Sequence, residues 1–422
     1  MTLIKTSFLN LIAIIVKVLT GILLNKVMAI YVGPAGYALA SQFQNGINFV
    51  LSFATGGINT GVTKYTAEYS NDLKNIRALF KTSVRIAFIS CCLLSSVVFI
   101  FSRKLSVYFL HTDIYQDVFR WFSLTVFLFV ANILLTSIVN GKKLVNKYVL
   151  INIIGNFISL CFSLLMIVFF GLKGAFIAFA TNQSLLLFVT IYVIRKETWF
   201  KLENFIGKCS DTIFYSKLLR YSLMAIVSAF CVTLLQILIR NYIVSNFGWQ
   251  QAGYWDGVWR ISSLYLMVVT VPLGIYYLPK LSEIKSKDLL VSEIVSGYKI
   301  VFPCVVFCSA FIYFFRDIII TLLFANDFKP MRDLMAWQLV GDVMKLGSWL
   351  VSYIMISKAL TKTYIITEIS TALLLYCLVV TLCKINGLQG VTQAYCITYT
   401  IYWLVMICIM INYLRTDEFN EK

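Results

Sequence analysis

The sequence predicts an all-α polytopic membrane protein of about twelve transmembrane helices, built as two six-helix lobes related by pseudo-two-fold symmetry. Three observations carry that expectation: composition, the recurrence of apolar runs, and an internal duplication. Sixty per cent of the 422 residues are hydrophobic and 13% are charged. A soluble domain carries nearly twice that charged fraction, so the solvent of this chain is lipid.

Apolar runs of about 20 residues, the length that crosses a hydrocarbon layer, recur along the chain. They cover 8–30, 38–57, 81–101, 117–139, 147–170, 174–195, 217–246, 255–279, 298–315, 333–357, 362–384 and 389–414. The connections between them are short and leave no room for a sizeable soluble domain. The first run continues past Lys17 without a small-residue cleavage site, so it reads as a retained helix and not a signal peptide.

Short matches recur at an offset of about 216 residues, which marks an internal repeat. Asp117 and Trp121 answer Asp333 and Trp337, and Gly171-Leu-Lys-Gly174 answers Gly387-Leu-Gln-Gly390. Lys142 answers Lys358, Tyr148 answers Tyr364, and Gly36-Tyr37 answers Gly253-Tyr254 one residue out of step. The repeat unit is therefore six helices, with lobes expected at 1–205 and 206–422. An even number of crossings gives both copies the same orientation, and transporters built this way bind substrate between the copies and alternate access to it.

Positive residues are retained in the cytoplasm. With the N-terminus inside, that side collects about 22 Lys and Arg against about seven outside, so both termini are expected to be cytoplasmic. The outer set is Arg103, Lys104, Lys173, Arg316, Lys329, Arg332 and Lys384. The net charge of +17 is spread over short loops, which points to membrane lipids and topology and away from nucleic acid.

Ionisable residues inside the membrane cost about 2.5–3.5 kcal/mol each on insertion scales, so each needs a partner, a hydrated cavity or an escape to the interface. Lys17 lies near the middle of the first helix. Asn45, Asn48 and Ser52 lie with Ser41 and Thr55 in a polar stripe on the second helix, at spacings of three and four that share one face. Gln236 and Arg240 share a face of the seventh helix, Asp256 and Arg260 one of the eighth, and Asp342, Lys345 and Trp349 one of the tenth. Glu368 stands on the eleventh. Such stripes also serve as glue between packed helices, and Asp256–Arg260 and Asp342–Lys345 have the spacing of local ion pairs. Lys17 and Arg240 have no acid within reach on their own helices, so they are expected to face a wet cavity whose ligand is an anion. Asp256, Asp342 and Glu368 are the candidates for proton or sodium coupling.

No catalytic motif appears. His111 is the only histidine and sits in a loop, and there is no nucleophile elbow, phosphate-binding loop or zinc motif. Most of the eleven cysteines lie inside apolar runs without ligand spacing, so neither a metal nor a cofactor is expected.

The stretches VGPAGYALASQFQN (32–45), GGINTGVTKYTAEY (56–69) and MRDLMAWQLVGDVMKLGSWLVSYIMISKA (331–359) resemble the Wzx-type flippases of bacterial surface polysaccharide assembly. The nearest branches are the O-antigen flippases and those of enterobacterial common antigen, and the resemblance covers essentially the whole chain. It implies membership of the multidrug/oligosaccharidyl-lipid/polysaccharide exporter superfamily, with two lobes forming a V around a central cationic cavity. It also implies an undecaprenyl-pyrophosphate-linked oligosaccharide as substrate, flipped from the cytoplasmic to the periplasmic leaflet of the inner membrane. Partners are expected to be a polysaccharide polymerase and a chain-length regulator. By type and placement, Lys17, Arg240, Arg260 and Lys345 match the cavity cations that hold the pyrophosphate. A cation-coupled drug exporter of the same superfamily is the alternative, disfavoured by the basic cavity. A membrane glycan polymerase is disfavoured by the absence of a large outer loop.

Overall fold

The computed structural model describes residues 3–69, 72–207, 213–273, 277, 280–281, 284, 286–358 and 360–415. Among them the regular structure is helical, with no strand. The helices are α1 (Leu3–Ala54), α2 (Asn59–Glu68), α3 (Leu73–Ile100), α4 (Ser102–Leu110), α5 (Gln116–Gly141), α6 (Val145–Ile194), α7 (Ile213–Phe247), α8 (Trp249–Pro272), α9 (Lys287–Phe314), α10 (Arg316–Leu323), α11 (Arg332–Ser357), α12 (Thr361–Asn386) and α13 (Gln389–Arg415). They pack into two units, 1–237 and 238–422.

Eight of these helices are long and apolar enough to cross a membrane among the described residues. Two of the eight account for two crossings each. At 1.5 Å per residue a straight α1 would be about 78 Å long, against about 30 Å of hydrocarbon, but α1 breaks at Gly33 (φ 67°, ψ 180°). The 50-residue α6 breaks in the same way at Gly171 (φ 55°, ψ −132°). Hydrogen bonds across each break show that the limbs fold back on one another: Tyr37 Oη donates to Asn25 Oδ1 (3.1 Å) in α1, and Asn182 Nδ2 to Ser163 Oγ (3.2 Å) in α6. The remaining two expected spans are α8 and α11, which are less apolar because they carry Asp256, Arg260, Asp342 and Lys345. The architecture is thus twelve spans.

The duplication is visible in the backbone. Gly387 between α12 and α13 (φ 59°) stands where Gly171 stands in the first half, and Gly248 between α7 and α8 (φ 85°) where Gly33 stands. The short helices α4 and α10 follow the third span of each half. Sequence periodicity missed both, and missed α2 and the first two turns of α3, because short amphipathic helices in loops carry no long apolar run.

In the first unit, the ring of Phe43 on α1 lies 5.2 Å from Phe119 of α5 and 4.9 Å from Phe176 of α6, all three buried. Buried polar ties hold α5 to α6: Asn132 donates to Gln183 (2.8 Å) and accepts from Thr190 (2.7 Å), and Ser184 donates to the carbonyl of Thr125 (2.9 Å). In the second unit, Leu273, Leu290, Ile294, Leu350, Ile354 and Met406 form the main apolar core. A Cβ at Gly341 of α11 would strike the ring of Tyr395, so that glycine lets α13 come close.

Candidate functional site

The α7–α8 hairpin of the second unit turns at Gly248, and eight residues from the turn on either limb stand Arg240 and Asp256. Arg240 Nε donates to Asp256 Oδ2 (2.9 Å) and Nη2 to Oδ1 (2.5 Å), a two-pronged charge-assisted pair. Both residues are buried, Arg240 at 2% and Asp256 at 5% exposure, and the guanidinium carbon lies 5.5 Å from the Trp255 ring centroid. Arg240 has no acid on its own helix, as expected, but its partner stands 16 residues away on the next one, so it is not the unpaired cation expected to face a wet cavity. Of the two readings open for Asp256, the local ion pair with Arg260 is not the one the structure forms. With Asp256 turned to Arg240, Arg260 is exposed and forms no ion pair among the described residues.

A second buried centre lies among α8, α11 and α13. Asp342 of α11 is fully buried and accepts from Tyr265 Oη (2.9 Å), Tyr395 Oη (2.9 Å) and Gln338 Nε2 (3.4 Å). Tyr265 in turn shares a hydrogen bond with Ser309 (3.1 Å). One turn along α11, the Lys345 ammonium sits over four aromatic rings, at 5.0 Å from Tyr399, 5.2 Å from Trp259, 5.3 Å from Trp349 and 5.5 Å from Tyr395. All four lie within the range of cation–π attraction, about 6 Å from a ring centroid. Glu368 of α12, half-buried, is within electrostatic range of the same ammonium.

The structure therefore gathers Asp342, Lys345, Trp349 and Glu368 into one centre and gives Arg240 and Asp256 to another. Sequence reasoning missed Trp259, Tyr265, Tyr395 and Tyr399. The spacing of Tyr395, Tyr399 and Tyr402 along α13 was the one available signal, and an apolar aromatic face reads the same way.

The predicted residues of the first unit are described by themselves. Lys17 is exposed, with no ion pair among the described residues. The flanking side chains of residues 3–14 lie outside the described set. Asn48 is exposed, while Ser52 is half-buried and bonds back to the Asn48 carbonyl (2.8 Å). Asn45 is half-buried, yet its amide nitrogen is sequestered without a hydrogen-bond partner among the described residues. Gln236 is half-buried. Among the described residues there is no cluster of three metal-ligating side chains.

Comparison with known proteins matches residues 3–285 to the family described as polysaccharide biosynthesis protein. The chain is 30% identical over 415 residues to the lipid III flippase of Escherichia coli K12, covering 98% of this chain and all of that one. The lipid III flippase of Shigella flexneri matches to the same extent. The fold is similar to that of an inward-facing multidrug resistance MATE family transporter of the MOP superfamily, with a TM-score of 0.80, 15% identity and 94% of each chain covered. It is also similar to a MOP superfamily transporter from Pyrococcus furiosus described by the reversed polarity of its binding pocket, with a TM-score of 0.72, 16% identity and 95% of each chain covered.

Proposed function

The chain belongs to the polysaccharide biosynthesis protein family, and from that premise we propose that it is a flippase for undecaprenyl-pyrophosphate-linked oligosaccharide, an O-antigen or related repeat unit. It is a transporter of the membrane and not an enzyme. The observation that carries the reading is the end-to-end 30% identity to proteins named as lipid III flippases. The solved neighbours that export drugs share the fold at 15–16% identity, which supports architecture alone.

In this reading the substrate moves from the cytoplasmic to the periplasmic leaflet of the inner membrane, with both termini cytoplasmic. The glycan then passes to a polysaccharide polymerase and its chain-length regulator. The diphosphate needs cations in a poorly hydrated place, where an Arg fork or a Lys point charge is worth most. Lys17 and Arg260 are exposed and available to it directly. Arg240 reaches it only by leaving Asp256, so protonation of Asp256 or cation binding there would couple an ion gradient to substrate capture. Asn45, Asn48, Ser52, Gln236 and Trp349 are the residues proposed to line the cavity.

Reconstitution with a fluorescent undecaprenyl-pyrophosphate glycan in vesicles tests this. Leaflet exposure should rise with the protein, and replacing Lys17 and Arg260 with Ala should slow it. Full flipping by a variant with Lys17, Arg240 and Arg260 all replaced by Ala would overturn the proposed diphosphate site.

A further inference from the structure

The Lys345 ammonium lies among four aromatic rings of its own chain. The faces of Trp259, Trp349, Tyr395 and Tyr399 converge on the Lys345 ammonium, and Asp342 and Glu368 lie within electrostatic range of it. Aromatic cages of this kind recognise ammonium groups, and buried carboxylates in lipid require a counter-charge. The Lys345 ammonium supplies both the guest and the counter-charge from one turn away on the helix that carries Asp342. The tyrosine hydroxyls of Tyr265 and Tyr395 donate to Asp342, so they hold its oxygens toward protein donors and not toward an open ion site.

We propose that Lys345 is a tethered cation that specifies which ion this centre accepts: its ammonium excludes sodium and other free cations from the Asp342–Glu368 receptor. The consequence is that sodium does not drive transport through this centre. Any coupling there runs through protons exchanged among Asp342, Glu368 and Lys345, the titratable groups within electrostatic range of one another, together with Tyr265, Tyr395, Tyr399 and Tyr402. The inference rests on the flippase reading only for its transport assay. The receptor itself is tested by binding.

The full chain is purified as wild type, Lys345→Ala and Lys345→Met, and its melting temperature is followed during titration with propylammonium chloride, sodium chloride and N-methylglucamine chloride. Propylammonium replaces the atoms removed beyond Cβ in Lys345→Ala. It should raise the melting temperature of that variant above the N-methylglucamine control, with little effect on wild type or on Lys345→Met, whose side chain fills the cage without a charge. In vesicles, Lys345→Ala should flip roughly tenfold more slowly than wild type and recover with propylammonium. Equal responses of the Ala and Met variants, or specific stabilisation of wild type by sodium, would overturn the proposal. Amine-specific stabilisation of Lys345→Ala in a chain that flips no glycan would uphold the receptor and refute the flippase reading instead.

Discussion

Arg240 and Asp256 are bound to each other across the α7–α8 hairpin, each eight residues from Gly248, with both prongs of the guanidinium on the carboxylate. At the duplicated position in the first half, Asn25 stands where Arg240 stands in the second, and it accepts from Tyr37 (3.1 Å). One hairpin of the repeat is closed by neutral groups and the other by an ion pair. The two hairpins are thus alike in backbone and different in charge.

Asp256→Ala takes the carboxylate from a buried guanidinium, and the expected loss of stability is about 3–5 kcal/mol. Arg240→Met combined with Asp256→Leu removes both charges and should recover most of that loss. Unfolding in detergent of Arg240→Met, Asp256→Leu and the double variant closes the cycle and gives the coupling energy directly. Additive effects would show that the pair contributes nothing as a pair.

Gly171 and Gly387 hold positive φ with open space where a Cβ would sit. Alanine there meets no neighbour, so the whole cost is backbone strain, about 1–3 kcal/mol per site. Gly46 lies inside α1 with ordinary clearance, 3.5 Å from the Phe109 ring, and Gly46→Ala should be neutral or stabilising. Melting temperatures should place both Gly171→Ala and Gly387→Ala below wild type and Gly46→Ala at or above it.

The spans and the duplication were legible because both depend on chain-local pattern: apolar runs have the length of a bilayer, and repeated loops keep their residues. The site was legible only in its charges. Asp256 and Arg260 stand four residues apart on one helix and make plausible partners, so nothing local indicates that Arg240 and Asp256 choose each other across a turn. Lys345 carries the same lesson. Its cage is assembled from α8, α11 and α13, and no spacing within one helix reports a ring contributed by another.

Asp72 caps α3 outside the membrane, accepting from the backbone N–H groups of Asn75 and Lys74 (both 3.1 Å) and from the Asn75 side chain (2.7 Å). The Asn75 backbone bond is the first cause that holds its carboxyl below the ordinary carboxylate range, joined by the Asn75 side chain and Lys74. A lowered folded pKa means that the cap is fully present above the unfolded value. It is lost as pH falls from about 3.9, the unfolded reference, through the lowered folded value. Asp72→Asn keeps a capping oxygen, so exchange of the first-turn amides of α3 should lose its acid-side pH dependence in that variant. Asp72→Ala should expose those amides at every pH, and an unchanged exchange rate there would refute the cap.

Tyr395 joins the two parts of the Asp342–Lys345 centre, its hydroxyl on the carboxylate at 2.9 Å and its ring under the ammonium at 5.5 Å. Tyr395→Phe removes the hydroxyl and keeps the ring, so it should cost about 1.5–3 kcal/mol, the worth of a hydrogen bond to a charged group. Tyr395→Leu removes both, and loss of the cation–π contact should add about 0.5–2 kcal/mol. The same Phe substitution in an Asp342→Asn background faces a neutral acceptor and should cost less, which distinguishes an effect on the carboxylate from a general loss of packing. Melting temperatures of wild type and these variants in one nanodisc preparation decide the matter. If Tyr395→Phe costs as much in the Asp342→Asn background as it does beside the native carboxylate, the hydroxyl does not act through the charge, and the centre is held together by its rings alone.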